Sequence, residues 1–231
     1  VTPEILYQMG LAHYRLGQPI PAAQKMMEIA RRYPNYGQAA EAAVTAVQLA
    51  AQQCADASSC TAQSPNQQLY RQTLDALLTG YPNLEAARYW RFYYAQLLED
   101  AEDYSGAAAE FARVDRDHEH YLESCFRRVR ALARAAARTS ARNPFLTPEA
   151  FTNIDAVSTA YRDFVTRAAA EMPVKDEDRT RRIQELLGES RLMLAETYLL
   201  AGVNRPEQAL ESLVDFEGTF GRQSPLLGRL W

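Results

Sequence analysis

Apolar and small residues recur every three to four positions along this chain, the spacing that gathers them on one face of an α-helix. No stretch alternates with period two, so helices are expected throughout and strands nowhere. Over residues 3–34 the positions Leu6, Met9, Gly10, Tyr14, Gly17, Ala22 and Met26 belong to a pair of antiparallel helices. Pro34 then ends the second, because proline has no amide hydrogen and keeps its predecessor out of the helical region. The same phrase returns as YPNYGQAAEA at 33–42 and YPNLEAARYW at 81–90, each time a helix end at Tyr-Pro followed by a new start.

These signals predict five helical hairpins at about 3–34, 37–81, 85–117, 119–172 and 176–221. The second pairs helices at about 37–53 and 66–79 across a long polar connection. The third pairs 85–101 with 104–115 across the acidic turn EDAED. The fourth pairs 120–138 with 148–171, with Thr147 as N-cap and Pro148 at the first helical position. The fifth pairs 177–201 with 206–217; Gly202 stops its first helix and Pro206 starts its second. Ser224-Pro225 then opens a short helix whose Leu226, Leu227, Leu230 and Trp231 are expected to cap the last hairpin.

The first hairpin resembles a tetratricopeptide repeat. Leu6, Met9, Gly10, Tyr14, Gly17, Ala22, Met26 and Pro34 fall at that family's spacing of W-x2-L-G-x2-Y, small residues at the helix crossing, and a terminal proline. Leu6 stands for the family's Trp, His13 for its first Tyr, and Met26 for a large aromatic. In the third hairpin Asp103, Tyr104, Ala107 and Phe111 match the second half of the pattern. Pro34 and Pro82 are 48 residues apart rather than the family's 34, and the surplus falls in the connections at 54–65 and 139–147. The resemblance implies an all-α, right-handed solenoid of about five hairpins plus a C-terminal capping helix. In it Gly10 and Ala22 let two helices approach closely while Leu6, Met9 and Met26 fill the space around them. The Tyr-Pro phrasing is also similar to bacterial cell-envelope members such as β-barrel-assembly lipoproteins, which implies a periplasmic or exported location; the alternative is cytoplasmic.

In this family the first helix of each hairpin lines a concave surface. The resemblance therefore implies a partner-binding groove lined by Tyr7, Leu11 and Tyr14, then by Tyr89, Gln96 and either Phe92 or Tyr93. The run YWRFYY at 89–94 cannot face one way on a helix, so each of its aromatics is either groove or core. A charged clamp for peptide C-termini is not expected, because Tyr7 and Leu11 stand where its polar residues belong.

A net charge of −4 argues against general nucleic-acid binding, which favours a basic domain. No apolar run approaches the roughly 18 residues of a membrane span. One helix face is nonetheless basic: Arg127, Arg130, Arg134 and Arg138 recur at helical spacing, as either a solvated stripe or a strip for anions and carboxylates. Of the three cysteines, Cys54 and Cys60 bracket the turn-forming run ADASS. Six residues of helix would span about 9 Å, beyond the roughly 7 Å a disulfide allows between α-carbons, and a turn removes that obstacle. They are either a bridge worth on the order of 2 kcal/mol, implying an oxidising compartment, or two free thiols. Cys125, among Leu122, Phe126 and Val129, reads as a small buried filler. His118 and His120 sit among Asp115, Asp117 and Glu119 and read as a solvated turn rather than a zinc site, which needs converging ligands. There is no Gly-rich phosphate loop, nucleophile elbow or HExxH. We therefore expect no enzyme, metal or cofactor in this chain. The expected function is a protein-interaction scaffold that binds a partner peptide or helix, within a longer protein. The alternatives are a glycan- or small-ligand-binding module, or an accessory domain of a larger enzyme.

Overall fold

The computed structural model describes residues 1–55, 61, 64–143, 148–172 and 176–220. Among them are eleven α-helices and no strand: α1 (Pro3–Arg15), α2 (Pro19–Arg32), α3 (Ala39–Gln53), α4 (Pro65–Gly80), α5 (Glu85–Asp100), α6 (Tyr104–Phe111), α7 (Tyr121–Arg142), α8 (Pro148–Glu171), α9 (Glu177–Tyr198), α10 (Pro206–Ser212) and α11 (Phe216–Phe220). The all-helical class is therefore as expected. The chain divides into two compact units, residues 1–103 with 113–118, and residues 104–112 with those from 119 onward. Helix α5 lies in the first unit and α6 in the second.

Local chemistry explains most helix boundaries. Proline opens α1, α2, α4 and α10, where its missing amide would have had no intrahelical partner. Ser64 caps α4 by accepting the Gln67 amide at 3.2 Å. Asp176 caps α9 by accepting the amides of Asp178 and Arg179 at 3.0 and 3.2 Å. Thr147, the expected cap of α8, lies outside the described residues, as do residues 221–231 and the expected capping helix. The two Tyr-Pro joints share one backbone form: Tyr33 has φ −133°, ψ 57° and Tyr81 φ −137°, ψ 52°. Their side chains tie down the joints, Tyr33 donating to the Val1 carbonyl at 2.7 Å and Tyr81 to the Ala30 carbonyl at 3.4 Å. The turns after α1, α5 and α9 each contain a left-handed residue, Gly17, Glu102 and Asn204. In each, the following amide reaches back to a carbonyl at the helix end, at 2.9, 2.9 and 2.8 Å, as in other left-handed helix caps.

In the first unit each helix packs on the next from α1 to α5, and α4 also touches α2. Leu6, Met26 and Ile29 form one cluster with Ala39, Ala42 and Ala46 of α3. The adjoining face of α3 sends Ala43, Val47 and Ala50 against Leu74 and Leu77 of α4. A helix buried on two sides is rich in alanine because its neighbours can then come close on both. The expected crossing at Gly10 is tight: a β-carbon there would lie 2.8 Å from Met26 Cε. Met9 departs from expectation. It lies on the exposed outer face of α1 rather than in the crossing, because the helix turns it about 100° away from Gly10.

In the second unit α7, α8 and α9 pack on one another, α6 packs on α7, and α10 and α11 pack on α9. Phe126, Val129, Val157, Phe164, Ile183 and Leu186 form the core. Helix α6 ends at Phe111 instead of about 115, α7 runs on to Arg142 instead of about 138, and α9 ends at Tyr198 instead of about 201. The expected helix at 206–217 is broken into α10 and α11, with Asp215 in the left-handed region at φ 57°. Arg191 closes this end, donating to the carbonyls of Ser212 and Val214 and lying over the Phe216 ring at 5.8 Å.

Candidate functional site

The aromatic run on α5 and the histidine-acid segment after α6 meet in the first unit. His118 Nε2 lies 3.0 Å from the Tyr89 carbonyl; a carbonyl only accepts, so Nε2 carries the proton. The imidazole stacks on the Tyr89 ring with centroids 5.5 Å apart and planes inclined by 28°. Arg88 Nε reaches toward Asp115 Oδ2 at 3.7 Å. Around these groups opens a cleft of about 410 Å³ lined by Asn83, Glu85, Arg88, Tyr89, Asp115, Asp117 and His118.

A connected aromatic layer supports one wall. Trp90 meets Tyr89 edge-on at 5.5 Å and Tyr70 at 6.2 Å, and the hydroxyls of Tyr89 and Tyr93 are 3.2 Å apart. Burial, then the nearby Tyr93 and Tyr89, push the Tyr70 phenol far above its ordinary range, so it stays neutral. Tyr89 keeps 43% of its surface exposed while its neighbours hold the ring in place. The cleft thus combines a fixed aromatic surface with an amide, carboxylates and a guanidinium. Such a set can stack on a flat or apolar ligand and hydrogen-bond its hydroxyls or amines.

The other expected groove residues divide. Tyr14 is 59% exposed. Tyr7 and Leu11 are half-buried against the Leu6–Met26 cluster, and burial first, then the adjoining Glu41, raises the Tyr7 phenol above its usual range. Phe92 is only 2% exposed and belongs to the core, so of the pair left open Tyr93 alone is partly accessible, with Gln96 half-buried beside it. His118 is the residue that sequence reading missed. Taken there as part of a solvated turn, it is half-buried on Tyr89; no periodic signal connects positions 29 residues apart.

In the second unit the arginine stripe is not uniformly cationic. Glu123 neutralises Arg127 at 2.8 Å, and Arg134 lies over the Tyr104 ring at 5.7 Å. Arg130 and Arg134 border a groove of about 390 Å³ whose far wall brings Glu189, Met193 and Glu196 from α9. Arg138 is exposed on the same helix. Cys54 is held in a disulfide, while Cys60, its expected partner, lies outside the described residues. Cys125 is a free, half-buried thiol whose pKa burial pushes up to about 11. Among the described residues no cluster of three or more His, Cys, Asp or Glu side chains is placed to hold a metal. No described helix is long and apolar enough to cross a membrane. Compared with known proteins, the chain matches no family model, no curated protein and no solved structure.

Proposed function

We propose that this chain is a non-catalytic interaction module, a tetratricopeptide-like solenoid that receives a partner peptide or helix across Tyr14 and Tyr89, bordered by Tyr7. The observation behind this reading is that Tyr14 and Tyr89 stay exposed on helices that each bury another face in the core. An immobilised tyrosine offers apolar area and a hydroxyl at little further entropic cost, which is why contact hot spots favour it. Preformed helices leave most of the ordering cost to the partner. The disulfide at Cys54 supports an exported setting, where such bonds persist. Tyr14→Ala should change stability by no more than about 0.5 kcal/mol, and Tyr89→Ala should lose about 1–2 kcal/mol with its contacts to Trp90, Tyr93 and His118. Each should weaken capture of a defined partner by about 1–2 kcal/mol in a pull-down followed by titration. Unaltered capture by both variants would remove the binding face.

The cleft at Tyr89 favours a second reading, a glycan- or small-ligand-binding module. An open aromatic ring beside Asn83, Glu85 and Asp117 is the combination that packs on a sugar face and bonds its hydroxyls. Trp90, in edge contact with Tyr89, would report it: oligosaccharide should change tryptophan emission in the parent chain and not in Tyr89→Ala. Equal changes in both would exclude binding at this cleft.

A further inference from the structure

Helix α1 has a face that the function proposed above does not use. Leu6 and Gly10 point into the core, and Tyr7, Leu11 and Tyr14 form the second face. Ile5, Met9, Ala12 and Leu16 form a third, separated by four, three and four residues, the alternation that keeps apolar positions on one seam between two helices. All four are exposed. The large members, Ile5, Met9 and Leu16, are 53, 38 and 71% exposed. The seam lies on the far side of α1 from Tyr7, the residue that meets Glu41 of α3. Among the described residues, α1 packs on α2 and no other described helix covers this seam.

We infer that this seam is a homodimer contact, with α1 of one copy antiparallel to α1 of a second about a twofold axis. The pattern is self-complementary in that direction. Ile5 falls opposite the second copy's Leu16, and the bulky Met9 falls opposite its small Ala12, so each side chain has a counterpart. Charge agrees as well: Glu4 lies in the first turn of α1 and His13 and Arg15 in the last, so antiparallel pairing brings the acidic end of each copy toward the basic end of the other. The helix dipoles then oppose, which is also favourable. A single helix face of this length buries an area at or below the roughly 1,000 Å² that marks a specific interface. The dimer should accordingly be weak and concentration-dependent.

Sedimentation equilibrium of the 231-residue chain over a wide concentration range tests this. A monomer–dimer equilibrium is expected. Met9→Glu and Leu16→Glu, both on exposed positions, should keep the parent's helicity and melting temperature while weakening association at least about tenfold. Glu4→Arg should weaken it less, and combining Glu4→Arg with Arg15→Glu should restore it. A chain that stays monomeric at every concentration overturns the inference, meaning that another partner covers this face. A dimer untouched by both glutamate variants also overturns it, by placing the contact elsewhere. Open-ended association beyond the dimer overturns the twofold arrangement.

Discussion

Gly10 is the place where helix propensity and packing oppose each other most directly, and Gly10→Leu separates them. Replacing a helical glycine with leucine should by itself favour folding by about 0.8 kcal/mol. The site has no room for the side chain: its first carbon alone would lie 2.8 Å from Met26 Cε and 3.2 Å from Met26 Sδ. Methionine is flexible and yields to a single methyl, so Gly10→Ala should be close to neutral. Three further carbons must displace Met26 from a pocket it shares with Leu6, Ile29, Ala39 and Ala42, at about 1–3 kcal/mol. The net expectation is a loss of about 0–2 kcal/mol, or a melting temperature lower by up to roughly 8 °C in a chain of this size. The sharper assay is a double-mutant cycle by urea unfolding. Met26→Ala alone leaves a cavity and should cost about 2–5 kcal/mol. Gly10→Leu with Met26→Ala roughly conserves volume, so the double variant should be more stable than the sum of the single losses by more than about 1 kcal/mol. Additivity within about 0.5 kcal/mol would refute the close crossing.

Arg191→Ala removes two charged donors from the carbonyls of Ser212 and Val214; a loss of about 1.5–3 kcal/mol is expected by denaturant unfolding, with proteolysis beginning near 212–216. Cys125 should resist alkylation at pH 8 in the folded chain and react readily in urea, because burial raises its folded pKa to about 11. The folded state holds that proton more tightly than the unfolded one, so its contribution to stability is complete below the unfolded thiol's value near 9. It is lost as pH rises toward 11, and unfolding free energies measured across that window should fall; a flat profile would contradict the burial. Non-reducing mass analysis of chain purified from an oxidising compartment should recover Cys54 and Cys60 in one bridged peptide with Cys125 alkylatable. Free thiols at both positions would take away the argument for an oxidising compartment.

The amino-acid sequence alone determined the features that depend on one residue and its immediate neighbours. Proline has no amide hydrogen and a fixed φ wherever it sits, so the starts of α8 at Pro148 and α10 at Pro206 were legible to the residue. The two Tyr-Pro stops were legible too; they share one backbone form because the restriction before proline is steric and local. The tight pairing of Gly10 with Met26 was also legible, through spacing that a known hairpin pattern shares. Tertiary structure alone decided the rest. Helix α5 is apolar on most sides, so periodicity could not say that Phe92 is core while Tyr89 stays open; that depends on which neighbours reach it. Met9 is as apolar as Met26, yet only the packed hairpin turns one outward and the other in. The break at Asp215 and the left-handed Glu102 and Asn204 carry no glycine signal, because each conformation is imposed by the helices it joins. The cleft was the least legible feature of all, since His118 meets Tyr89 only when the chain returns across 29 residues, and no local rule encodes that return.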